Sequence, residues 1–166
     1  MPKFSILWAS LLLLLMGGCA TKHYTVSEPK LITIKSPKLK FSDMGYIRYA
    51  DNAVEVELFT AGVVVEKISI DHDVCVSAGC MSEEAFNREY LYEAYPRDTM
   101  RRILQGKDIF AGVGKEESRN GLSQQNIKNE GMDILYRHWA KEIYFKDRIN
   151  GLMIKIGDVQ ESNGTE

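Results

Sequence analysis

Cysteine, proline and histidine are all scarce in this chain of 166 residues, at three, four and three. Scarcity of thiols and imidazoles argues against a metal centre. A structural zinc site takes four ligands, paired two to four residues apart. The densest cluster, His72, Asp73, Cys75 and Cys80 in DHDVCVSAGC, has one C-x4-C pair and no second pair downstream. We expect no metal and no cofactor. Charge of one sign is also lacking: 21 Lys and Arg stand against 23 Asp and Glu, a net charge of −2. Without a large basic excess, nucleic acid is not an expected partner. H-E-x-x-H, G-x-S-x-G and EF-hand patterns are absent. GVGK at Gly112–Lys115 fails as a phosphate loop, because Glu116 stands where Ser or Thr is needed and Ile109 where the first Gly belongs. The 23 carboxylates permit acid pairs, but nothing in their spacing selects one.

Long apolar runs are lacking too, with one exception at the N-terminus. Lys3 is followed by an apolar stretch from Ile6 to Met16, then Gly17, Gly18 and Cys19. A bilayer span needs about 20 apolar residues, and this run is about half that. Positive n-region, apolar h-region and small residues before a break are the order of a secretory signal peptide. Met16-Gly17-Gly18-Cys19 resembles the lipobox of bacterial lipoprotein precursors, with Met in place of the more usual Leu. The resemblance implies cleavage before Cys19 and lipidation of its thiol and amine, commonly with three acyl chains. Ala20, rather than Asp, would then direct the protein to the outer membrane, facing the periplasm. Removing residues 1–18 from the 166 leaves 148 residues, the size of a single domain.

With Cys19 assigned to lipid, Cys75 and Cys80 are an even pair in an exported and oxidising compartment, which favours a disulfide. A thiol-redox role stays open, because Cys80 lies just before a predicted helix N-terminus. A Cys–His nucleophile is disfavoured, since His72 and Cys75, three apart in a strand, face opposite sides. His138, in YRHW, reads as a core-edge histidine, and His23 falls in the expected tether.

Residues 19–30 are polar and aperiodic, a tether between lipid and domain. LITIKSPKLKF follows, and Pro29 just before it with Pro37 inside it suggest an edge or irregular strand protected by lysines. Met44–Ile70 reads as a three-strand meander, with Val54, Val56 and Leu58 buried and Glu55 and Glu57 outside. Ala61-Gly62 breaks it. Ser82 caps a helix with Glu83 and Glu84 in its first turn and Phe86, Tyr90 and Ala94 along one face. A second helix starts near Pro96, carries Met100, Ile103 and Leu104, and ends at Gly106. Residues 111–131 read as the main internal loop. MDILYRHWAKEIYFKD is ambiguous: a helical turn first, then a strand. Asn150-Gly151 predicts a type I′ hairpin. It would set Phe145 opposite Ile156 and Asp147 opposite Ile154, with Ile149 in the core and Asp147 in need of a partner.

Residues 159–166 form a polar tail. Within it, Glu161-Ser162-Asn163-Gly164-Thr165 matches the N-x-[ST] acceptor with an acid two residues upstream. That resembles the extended acceptor of periplasmic bacterial oligosaccharyltransferases and makes Asn163 a candidate glycosylation site.

From Gly45 to Phe110, AVEVELFTAG, VCVSAGCM, AFNREYL and LQGKDIF together resemble a group of small diderm lipoproteins with no assigned activity. The resemblance implies no catalytic residues and supports pairing Cys75 with Cys80. The expected fold is α+β: one domain over 31–158, an antiparallel sheet of meander plus C-terminal hairpin covered by two short helices. The expected role is a non-enzymatic, lipid-anchored envelope accessory protein that binds a partner at the outer membrane. An enzyme acting on envelope polymers, or a redox protein using Cys75 and Cys80, is the alternative. A binding module would expose an apolar patch or strand edge; an enzyme would hold a pocket of ionisable groups.

Overall fold

A computed structural model describes Tyr24, residues 26–140 and residues 142–159. Its frame is one sheet of eleven strands, every neighbouring pair antiparallel. They are β1 Val26–Lys35, β2 Lys40–Tyr49, β3 Val54–Thr60, β4 Val63–Ile70, β5 Val74–Val76 and β6 Gly79–Met81. After two helices come β7 Lys115–Glu117, β8 Ser123–Lys128, β9 Asp133–Trp139, β10 Glu142–Asp147 and β11 Leu152–Asp158. The spatial order is β6-β5-β4-β3-β2-β1-β11-β10-β9-β8-β7. Two meanders therefore run outward from a central pairing of β1 with β11.

One face of the sheet is the core. Ile32 and Ile34, Ile47, Val54, Val56 and Leu58, Ile68 and Ile70 alternate inward from the first meander, and Ile134, Tyr136, Phe145, Leu152, Ile154 and Ile156 from the second. Helices α1 (Glu83–Tyr90) and α2 (Thr99–Leu104) cover that face with Phe86, Met100, Ile103 and Leu104. The α+β class, with a dominant antiparallel sheet and two short helices, is as the alternation and capping signals indicated. Ser82 caps α1, its Oγ accepting from the Ala85 amide at 3.2 Å. Beyond α2, Gly106 (φ +60°) donates to the Ile103 carbonyl and Lys107 to that of Arg102, a Schellman stop.

Several expectations are corrected. The strand begins at Val26, so the segment proposed as tether over 19–30 loses its last five residues to β1. β1 is central rather than an edge. Pro29 is tolerated because β11 pairs β1 only from Lys30 onward, leaving Pro29 with β2 alone as neighbour. Lys30 is not a solvated guard: it is 2 % exposed, with Nζ 3.0 Å from Glu28 and 2.5 Å from Asp158. Helix α1 ends at Tyr90, so Ala94 lies outside it, and α2 starts at Thr99, three residues past Pro96. The supposed loop 111–131 holds β7 and β8. MDILYRHWAKEIYFKD contributes two strands and no helical turn.

The last hairpin keeps its predicted faces but slips by two residues. Phe145 pairs Ile154 and Asp147 pairs Leu152, while Ile149 is exposed. Asp147 is the cause. Its Oδ1 accepts from the amides of Ile149 (3.0 Å) and Asn150 (3.3 Å), which builds a longer connection than a two-residue turn. Asn150 does not take the positive φ that a type I′ turn requires.

Candidate docking surface

The first meander carries an apolar projection at its far rim. β2 pairs β3 only as far as Gly45 opposite Leu58, and β5 pairs β4 only at Ser69 and Ile70. Between those limits the β3–β4 hairpin has no third strand. Val65 is an extra residue in β4, because Leu58 pairs Glu66 while Phe59 pairs Val64. Such a bulge bends a ribbon away from its sheet. Ala61 and Gly62, both at positive φ (51° and 81°), close the tip in the I′ manner. Val63, Val64 and Val65 are 65 %, 47 % and 51 % exposed. Successive residues of a strand point to opposite faces, so this tip is apolar on both sides. LFTAGVVV, from Leu58 to Val65, contains no charge.

The sheet's outer face continues from it as an apolar stripe. Tyr46 meets Phe59 edge-on at 5.6 Å between ring centroids. Met44 lies directly opposite Leu31, and both are exposed, as is Tyr46. Single exposed apolar residues need no explanation, but a contiguous patch marks an interaction surface. On β11, Gly157 pairs Leu31 and leaves a notch there. Farther across, Trp139 is exposed at the end of β9, its Nε1 donating to the Asn120 carbonyl at 3.2 Å.

Beside the stripe sits a self-neutralising ion network. Arg48 lies 2.8 Å from Glu55 and 2.9 Å from Glu57, and Lys67 lies 3.0 Å and 3.5 Å from the same pair. Tyr24 adds a hydroxyl donor to Glu55 at 3.2 Å. Burial alone pushes the Glu55 carboxyl up, but bonds from Lys67, Arg48 and Tyr24 outweigh it and hold it below the usual range. Two acids and two bases make this network neutral in itself.

One set of ionisable groups gathers at the opposite rim. A cavity of about 220 Å³ is lined by Glu28, Lys30, Tyr49, Gly106 and His138, among others. Each charged group there is already engaged. Lys30 is paired twice, and His138 Nε2 lies 3.5 Å from Asp108, which Lys115 also holds at 2.9 Å. The Asp108 carboxyl is held low, chiefly by Lys115. Burial pushes the Tyr49 phenol up to about 12, and its hydroxyl donates to the Leu104 carbonyl.

Cys75 and Cys80 are joined by a disulfide, 2.07 Å between sulfurs. It bridges directly opposed positions of β5 and β6 rather than tying a strand to α1. Cys19, His23 and Asn163 lie outside the described residues. Among the described residues no group of His, Cys, Asp and Glu is arranged to hold a metal ion, and no helix is long and apolar enough to cross a membrane. The glycines of GVGK serve the backbone: Gly112 takes a φ of +83° with open space around it, and a Cβ at Gly114 would lie 2.1 Å from the Asn126 carbonyl oxygen. Sequence reasoning missed the valine tip as a site, although LFTAGVVV carries the signal: an uncharged run on both sides of a tight turn.

The chain is an antiparallel-sheet α+β protein with an apolar outer stripe and finger. Comparisons with protein-family models, with curated proteins and with solved structures find no match to it.

Proposed function

We propose that this protein is a lipid-anchored accessory of the bacterial envelope, held by acylated Cys19 at the periplasmic face of the outer membrane. In this reading it acts by binding and not by catalysis. The observation that supports it is the stripe on the outer sheet face of exposed Leu31, Met44 and Tyr46, continued by half-buried Phe59. Solvent-exposed apolar area of this kind is costly to leave bare and is favourable to cover. Its partner is an envelope protein resident at the same membrane. The mutual pairing of the ionisable groups around Lys30 and His138 favours binding over catalysis, since a general base or nucleophile needs a free, tuned group.

A photo-crosslinking residue at Tyr46, compared with one at exposed Lys128 in intact cells, tests this. Crosslinks to one discrete envelope protein from position 46 and none from 128 support the reading; equal or absent crosslinks overturn it. The intact mass of protein from the native envelope reads the modifications. Loss of residues 1–18 with acyl chains on Cys19 is expected, together with a glycan on Asn163. An unacylated N-terminus would remove the anchor, and a bare Asn163 would remove the glycan.

A further inference from the structure

We infer that the β3–β4 hairpin tip, Phe59 to Val65, is a finger that inserts into the acyl region of a lipid layer. A protein pocket covering a flat ribbon would need only one of its faces to be apolar. Here Val63 and Val64 point to opposite faces, both are exposed, and Val65 at the bulge is exposed as well. A surface apolar on all sides suits a solvent that is apolar on all sides. The uncharged run ends at Glu57 and Glu66. Those two carboxylates flank the base of the finger, where a headgroup layer would begin. Phe59 pairs Val64 and Thr60 pairs Val63, so the groups between the two strands are bonded nearly to the tip, while the outward edge groups, with no third strand beside them, confine entry to a shallow depth that water still reaches.

The position of the chain's start agrees. Tyr24 donates to Glu55, on the outer face of β3, so the described chain begins on the face that carries the stripe. From Glu55 to Ala61 is about 20 Å along the strand. Four residues lie between Cys19 and Tyr24, so five steps of the chain reach at most about 18 Å. Anchor and finger can thus enter the same membrane surface, with the stripe between them. The finger rests on the envelope reading only for the presence of that membrane.

Single indoles test it. The sequence has two tryptophans, Trp8 and Trp139. In a full chain carrying Trp8→Phe and Trp139→Phe, Val63→Trp and Val64→Trp are made separately, and a third chain keeps Trp139 alone. Each is reconstituted with phosphatidylethanolamine–phosphatidylglycerol vesicles whose acyl chains are brominated at mid-depth. Emission from positions 63 and 64 should both be quenched several-fold more than emission from Trp139. Quenching at neither position, at only one, or equally at all three overturns the finger. A one-sided result would mean a flat contact, and a self-association seen by sedimentation without quenching would mean that a second copy covers the tip. Native near-ultraviolet dichroism and an intact Cys75–Cys80 bond certify each variant's fold. The mass of the mature N-terminus from the native envelope is read separately. An unacylated Cys19 with quenched indoles removes the anchor and keeps the finger. An acylated Cys19 with unquenched indoles does the reverse.

Discussion

The two meanders that meet at β1 and β11 are held by different means. In the first, β1 to β6, the inner face is aliphatic apart from Phe41 and the ion-paired Lys30 on β1, and its carboxylates Glu55 and Glu57 lie on the other face in the ion network. In the second, β7 to β11, polar side chains point inward: Ser123, Gln125 and Asp147 are all buried. Gln125 and Asp147 satisfy main-chain groups of the segments that cover the sheet. Gln125 accepts from the Ile109 amide at 2.8 Å and donates to the Ile109 and Val113 carbonyls at 2.9 Å each. It thereby fixes a turn in which Phe110, Ala111 and Gly112 all have positive φ. Asp147 accepts from Tyr95, Asp133, Ile149 and Asn150. An aliphatic meander needs only the right pattern. A polar one needs particular partners from distant sequence.

The largest effect should come from Asp147, the group with most to lose. Asp147→Ala strands the buried Tyr95 hydroxyl and three partly buried backbone amides. Loss of about 3–5 kcal/mol is expected, since removing one member of a buried charged network leaves the others unpaired. Urea denaturation measures it; a loss under 1 kcal/mol would mean the second meander does not depend on this node. The pH dependence has a definite sign. Burial raises the Asp147 carboxyl, but bonds from Tyr95, Asn150 and the backbone hold it below its ordinary value. Its contribution is therefore complete above the unfolded value near 3.9 and drains away as pH falls through the lower folded value. The stability gap between wild type and Asp147→Asn should shrink on acidification below about pH 4.

Gln125→Leu comes next, at about 2–3 kcal/mol, because the volume is kept while one buried amide and two carbonyls lose their partner. Hydrogen exchange at the Ile109 amide should rise in step. Unchanged exchange there would show that water replaces the side chain and that the polar meander is less specific than its contacts suggest.

This difference between meanders also explains what could be read from sequence. Val54, Val56 and Leu58 alternate with Glu55 and Glu57, so β3 and its faces were legible from hydropathy alone. The signals for Ser82 and Gly106 are local as well, and both hold. β8 reads Ser-Gln-Gln-Asn-Ile-Lys, and its inward residues Ser123 and Gln125 are polar, so the period of two vanishes from hydropathy. The Asn150-Gly151 register failed for a related reason: a side chain three residues earlier captures the turn's amides, which turn statistics do not include. The outer stripe was anticipated only as a kind of feature. Its position depends on Leu31 and Met44, 13 residues apart, being paired across β1 and β2. The anchor and the glycan acceptor are sequence signals whose residues lie beyond the described fold.

In the first meander a covalent link takes the place that polar nodes hold in the second. Cys75→Ser with Cys80→Ser should cost about 2 kcal/mol, the chain-entropy value for so short a loop. The core beneath β5 should stay packed, because Val74 and Val76 face inward on either side of Cys75. Reductant should therefore lower the melting temperature of the wild type by several degrees and leave that of the double variant unchanged. A loss as large as that of Asp147→Ala would erase the distinction, since it would make the aliphatic half depend on one specific contact.

Glu55→Gln should have the smallest effect, and it is the sharpest test because Glu55 looks so much like Asp147. Both are carboxylates on strands, both are buried, and both are held below their usual range by several donors. Their partners differ in kind. Asp147 holds backbone amides of β9 and of the β10–β11 turn, whereas Glu55 holds the side-chain heads of Arg48, Lys67 and Tyr24. When Glu55 loses its charge, Arg48 and Lys67 keep Glu57 at 2.9 Å and 3.5 Å, and Lys67 is half exposed to water. The expected loss is at most about 1 kcal/mol and should fall further in 1 M salt, as for exposed pairs. Parallel urea curves of Glu55→Gln and Asp147→Asn at low and high salt decide the matter. A salt-independent loss of several kcal/mol from Glu55→Gln would place it with Asp147 as a structural node, and the outer face of the first meander would no longer be free to serve as a surface for partners.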